Sequence, residues 1–168
     1  MKYNEIDLKH WRQCQINVDS LWLIANRDKS GKHKNIYHGN FIPQVARELF
    51  TRYTKRNEIV LDAFLGSGTS LYEAQNLGRK CIGMDINPKI LEYVKSQMDG
   101  ESCSSTYYFG FCDNTDSSSV DCFMQEGLES LGSKSVQFII LHPPYMDIIR
   151  FSKNANDLSH LDNLTDFI

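Results

Sequence analysis

Leu61-Asp62-Ala63-Phe64-Leu65-Gly66-Ser67-Gly68-Thr69 is the stretch whose reading decides the fold. Residues 58–64 are a short apolar run of strand character that breaks at once into two glycines around a serine, and a helix is expected over residues 69–77. Glycines at a strand-to-helix turn let a ligand lie against the backbone, so a nucleotide-like ligand is expected there. The turn lacks the Lys-Ser/Thr ending of a phosphate-binding loop, and Leu71 stands where a dinucleotide fingerprint would have its third glycine. Asp62, just ahead of the glycines, suits a cationic sulfonium and amino group better than a pyrophosphate.

Outward from this turn, Gly78 ends the helix, residues 80–84 read as a second buried strand, and Pro88 opens a helix reaching about residue 98. A polar linker over 99–105 precedes an aromatic strand at 106–111, and an amphipathic stretch from Ser117 ends near Gly132. A fourth strand is expected over 136–141, and residues 44–53 carry a helical pattern through Val45, Leu49 and Phe50. Strands alternating with helices predict an α/β fold: a Rossmann-like, parallel, doubly wound sheet of about four strands with its ligands at their carboxyl ends. At such ends stand Asp85, followed by Ile86, whose carboxylate can accept from two ribose hydroxyls, and Asp113, which either accepts from an adenine amine or caps a turn.

His142-Pro143-Pro144-Tyr145 closes the fourth strand. Two prolines fix the chain so that a carbonyl and an aromatic ring face one point, a site for a planar group carrying an amine. An amine conjugated to a ring is a poor nucleophile, and acceptors for its protons, here the His142 ring and the Pro143 carbonyl, help it toward sp³ geometry. Tyr145 would stack on that planar group.

With 168 residues and 41% hydrophobic content, the chain fits one sheet and one core. We divide it into a basic segment, residues 1–35, and a ligand-binding domain, residues 36–168. Residues 1–56 hold 11 Lys/Arg against 5 Asp/Glu, and residues 57–168 hold 7 against 16. The densest basic cluster, Lys29, Lys32, His33 and Lys34, is either a phosphate contact or a solvated loop. No apolar run is long enough for a membrane span, and a cytoplasmic protein without a membrane partner is expected. The five cysteines lack paired metal-site spacings and are read as reduced thiols, so no metal is expected.

Taken together, the glycine turn, Gly83-Met84-Asp85 and His142-Pro143-Pro144-Tyr145 resemble the amino-methyltransferase family of DNA modification enzymes, over about residues 36–150. The resemblance implies the class I methyltransferase fold, S-adenosylmethionine as cofactor, DNA as partner, base flipping, a link to restriction-modification, and methylation of adenine N6 or cytosine N4. It assigns cofactor binding to Phe64, Gly66, Ser67, Gly68 and Thr69 beside Asp62, Asp85, Ile86 and Asp113. Residues 37–43 resemble the segment that encloses the methionine end, which adds Phe41 and Pro43. The family usually has Asp, Asn or Ser where this chain has His142, so the target base stays open, with adenine preferred. A neutral imidazole still accepts one hydrogen bond, whereas a protonated one does not. Such enzymes have seven strands and this sequence reads as four, so a second polypeptide or self-association is expected to supply the rest and target recognition. Three alternatives remain at this point: methylation of RNA guanine or of a protein glutamine amide, a non-catalytic cofactor-binding subunit, and a nicotinamide dinucleotide binder.

Overall fold

The computed structural model describes residues 6–165 apart from residues 8, 14, 15, 18, 35 and 164, and, for its side chain, residue 11. Among the described residues four α-helices and four strands alternate as the hydrophobic pattern requires. Helix α1 (Pro43–Tyr53) starts on a proline, whose missing N–H is no loss at a first turn, and buries Pro43, Ala46 and Phe50. Strand β1 (Ile59–Asp62) is shorter than the apolar run containing it, because Ala63 and Phe64 already leave the sheet for the glycine turn. Helix α2 (Thr69–Asn76) follows, then strand β2 (Lys80–Asp85) and helix α3 (Pro88–Gln97). Asn87 caps α3, its side chain accepting from the Lys89 backbone N–H at 3.1 Å. Strand β3 (Tyr107–Phe111) leads to helix α4 (Ser117–Ser130), capped in the same way by Asp116, and to the short strand β4 (Phe138–Ile140).

The four strands pair in parallel throughout, in the order β3-β2-β1-β4. The order reverses after β1, so the crevice beyond its carboxyl end opens between β1 and β4, where doubly wound sheets bind ligands. Alternate residues face opposite sides of the sheet. Val60, Cys81, Tyr107 and Phe109 pack against α1, α2 and α3. Ile59, Ile82 and Met84 pack with Phe123 of α4 and Leu131 just beyond it. Among the described residues β4 is a sheet edge, and Ile139 and Leu141 are 57% and 61% exposed. The sheet is incomplete on that side: α4 packs on β2 and β3, and Ile139 of β4 stays exposed beyond it.

Residues 26–33 are tied to this core by charge. Glu73 of α2 is fully buried, accepting from Arg47 Nε at 2.9 Å and meeting His33 Nε2 at 2.7 Å. A second Arg47 nitrogen reaches Asp28 at 2.6 Å. Burial alone would push the Glu73 carboxyl up, but the hydrogen bonds from His33 and Arg47 outweigh it and hold it below its ordinary value. His33 therefore points inward, while its basic neighbours Lys29, Lys32 and Lys34 are exposed. Among the described residues Cys81, Cys103, Cys112 and Cys122 are free thiols, and no cluster has the makings of a metal site; Cys14 lies outside them. No described helix is long and apolar enough to cross a membrane.

Candidate functional site

The glycine turn adopts a conformation that few other residues tolerate. Gly66 and Gly68 have φ of +50° and +89°. A Cβ on Gly66 would lie 3.3 Å from the Tyr37 ring and 3.4 Å from Asn40 Oδ1, and one on Gly68 would lie 2.9 Å from Tyr72. The turn is bolted to β2: Leu65 N–H donates to the Met84 carbonyl at 2.8 Å and Gly66 N–H to Asp85 Oδ2 at 2.7 Å. From behind, Asp62 accepts from Phe64 N–H at 3.0 Å and from the Ser70 hydroxyl.

These elements surround a cavity of about 270 Å³ at the carboxyl ends of the strands. One wall is Tyr37 to Phe41, the floor runs from Ala63 to Gly66 with Thr69, and the ends of β2 and β3 contribute Asp85, Ile86 and Asp113. The far wall is the whole tetrapeptide His142, Pro143, Pro144 and Tyr145. Of the residues expected from sequence, Phe41, Phe64, Gly66, Thr69, Asp85, Ile86, Asp113 and these four thus line one space. Pro43, Asp62, Ser67 and Gly68 do not. Pro43 is buried in α1, Asp62 is sealed behind the turn, Ser67 accepts from Asn40 Nδ2 at 2.6 Å, and Gly68 leads into α2.

The electrostatics follow from burial. Asp62 and Asp85 are both pushed up to about 6, chiefly by loss of water and further by nearby negative charge, that of Asp85 for Asp62 and that of Asp157 for Asp85. Asp85 accepts from Gly66 N–H and from Asn87 N–H at 2.8 Å, and the Ile86 N–H also favours its charged form. Asp113 is held below its ordinary value by hydrogen bonds from Thr115 and Asn156. The His142 imidazole is pushed down by burial and is neutral at physiological pH. Its ring meets Phe41 and Tyr145 edge-on, each at 5.4 Å, and Nε2 lies 2.8 Å from the Tyr145 hydroxyl. Tyr145 itself is 60% exposed, an aromatic face open at the rim.

The sequence reading missed the roof. Residues 148–158 cross the cavity, fastened by Asn87 Nδ2 to the Phe151 carbonyl at 2.8 Å and by Asn156 Nδ2 to Asp113 Oδ2 at 2.6 Å. Phe151 also packs on Tyr37, with ring centres 5.3 Å apart. The available signal was turn chemistry alone: Asn154 and Asp157 accept from Asn156 N–H and Ser159 N–H, as turn-forming side chains do.

Among known proteins, residues 1–96 match the family model described as DNA methylase, of the N6/N4 type. The Type II methyltransferase M.MjaII of Methanocaldococcus jannaschii is 40% identical over 86 residues, which is 48% of this chain and 16% of that protein. M2.LlaDCHI of Lactococcus lactis subsp. cremoris, also a Type II methyltransferase, is 44% identical over 82 residues, 49% of this chain and 30% of its own length. M.HindIII of Haemophilus influenzae is 32% identical over 110 residues, 62% of this chain and 34% of its own length. The chain thus spans about a third or less of these relatives. With the family match covering more than half of its residues, the chain belongs to the N6/N4 DNA methylase family.

Proposed function

We propose that this chain carries the cofactor-binding and amine-binding halves of a cytoplasmic, S-adenosylmethionine-dependent DNA methyltransferase acting on adenine N6 or cytosine N4. The observation that carries the reading is a single one: the glycine turn and the proline-tyrosine loop, more than seventy residues apart in sequence, line the same cavity.

The residues fit S-adenosylmethionine. Gly66 lines the cavity, and the absence of a Cβ lets Tyr37 and Asn40 close against the turn beside it. Asp85 presents its carboxylate to the ribose hydroxyls, Ile86 offers an apolar surface for a ring, and Asp113 stands at the next strand end as an acceptor. Asp62, sealed from the cavity, braces the turn rather than meeting the ligand's charge. When bound, the cofactor supplies an electrophilic methyl group on a sulfonium, transferred directly to nitrogen as the sulfur leaves as a neutral thioether.

The chain's own residues do the rest. Tyr145 stacks on the extruded base, and the Pro143 carbonyl and the neutral His142 ring accept hydrogen bonds from its amine, whose surplus proton passes to the His142 ring or to solvent once nitrogen has taken the methyl group. His142 Nε2 already faces the Tyr145 hydroxyl, so it serves the amine either by exchanging that partner or, as the tautomer donating to Tyr145, through Nδ1. Protonated, the ring has no acceptor, and transfer fades below its pKa. The exposed edge of β4, with Ile139 and Leu141, supports a further proposal: strands from additional polypeptide, in the same or a second chain, complete the sheet and supply target recognition. The residues described here alone are then weakly active or inactive.

The test has two stages. Calorimetry with S-adenosylhomocysteine and with NAD should give binding of the first only; binding of NAD alone would sink the reading. Labelled-methyl transfer to DNA, to RNA and to protein, with nucleoside analysis of the product, then identifies the acceptor.

A further inference from the structure

Arg27 belongs to neither loop of the site, yet one of its guanidinium nitrogens donates to the Asn40 carbonyl at 3.2 Å and to the Phe41 carbonyl at 3.0 Å. Its Nε is buried and has no hydrogen-bond partner among the described residues, so the group is held there by those two carbonyls. The two residues it grips are the joint between the halves of the cavity. The Asn40 side chain donates to Ser67 on the glycine turn at 2.6 Å. The Phe41 ring meets the edge of His142, which in turn faces the Tyr145 hydroxyl.

We infer that Arg27 is a positioning residue: by clamping the Asn40–Phe41 peptide it fixes the distance between the glycine turn and the His142–Tyr145 wall. The one nitrogen carries two N–H groups, one for each carbonyl, and the guanidinium plane fixes their directions, whereas a lysine ammonium is a freely rotating point charge. Alignment matters here because an ångström of drift between reacting groups is worth on the order of a hundredfold in rate. The inference deepens the functional reading and rests on it for the identity of the ligands, while the clamp itself is a matter of geometry.

The test compares the wild-type chain with Arg27→Ala and Arg27→Lys. In nuclear magnetic resonance spectra the His142 ring signals, assigned by their loss in His142→Asn, carry the ring-current shift of Phe41. In Arg27→Ala they should move, while those of His33, packed on Tyr72, stay in place. Affinity for S-adenosylhomocysteine should fall about tenfold, as expected for losing a charge-assisted contact. Added methylguanidinium should restore both, and Arg27→Lys should lie between. Unmoved His142 signals in folded Arg27→Ala overturn the inference. If that variant does not fold, unmoved His142 signals in Arg27→Lys do so. A wild-type chain that binds no S-adenosylhomocysteine refutes the functional reading instead, and the displacement of His142 still decides the clamp.

Discussion

Replacing Asp85 by Asn should weaken ligand binding and, at neutral pH, strengthen the fold, and the two effects have one origin. Burial raises this carboxyl from about 3.8 to about 6. Between those values the native chain holds a proton that the unfolded chain has released. The stability this proton contributes is fully present below about pH 3.8 and is lost as pH rises through about 6. Two pKa units correspond to about 3 kcal/mol. The amide in Asp85→Asn never ionises, so wild-type stability relative to that variant should drop by up to about 3 kcal/mol between pH 4 and pH 7.5, read from urea unfolding curves. Part of this is offset at every pH, because an amide presents N–H to one of the backbone donors, Gly66 or Asn87, that the carboxylate accepts. Calorimetry should move the opposite way. Acceptor contacts to two hydroxyls lose their charge, and S-adenosylhomocysteine affinity falls about 10- to 100-fold. Parallel pH profiles for the two chains, or affinities within about twofold, would refute the assignment of Asp85 as a desolvated ligand acceptor.

Other substitutions probe the remaining parts. Gly66→Ala must hold a side chain at a φ of +50° against the Tyr37 ring, so stability should fall by about 1–2 kcal/mol and ligand affinity with it, measured by the same two methods. Glu73→Gln leaves His33 and Arg47 without their buried anion and should cost about 3 kcal/mol in urea unfolding; the difference should shrink in acid, as the wild-type carboxylate takes up a proton. Tyr145→Ala, at an exposed ring, should change stability by no more than about 0.5 kcal/mol and leave S-adenosylhomocysteine binding intact. Its binding of a single-stranded oligonucleotide, followed by fluorescence anisotropy, should weaken about tenfold from the lost stacking; unchanged affinity would remove Tyr145 from the base site.

The glycine turn, Asp85 and the proline-tyrosine loop were legible in sequence because each depends on neighbours a few residues away. The alternation of apolar runs with breakers likewise marked every strand, although Val136 and Leu141 read as strand and lie outside the three residues that pair. The burial of Asp62 was not legible for a related reason: a strand-end acid next to glycines reads as facing the ligand, and the contact with Ser70 lies in the helix beyond the turn. What escaped detection rests on single long-range contacts. His33 looked like part of a basic surface because its partner, Glu73, stands forty residues off. The roof over the cavity has no periodicity, and its anchor from Asn87 to Phe151 spans sixty-four residues.

The bare flank of β4 also constrains geometry. In a closed twofold pairing with its axis normal to the sheet, two β4 strands would run antiparallel, and the carboxyl ends of the two sheets would point in opposite directions. The two hollows would then open on opposite rims of one continuous sheet, unable to address neighbouring bases on the same stretch of duplex. A parallel strand added from other polypeptide leaves the hollow where it is and extends its rim on the Tyr145 side.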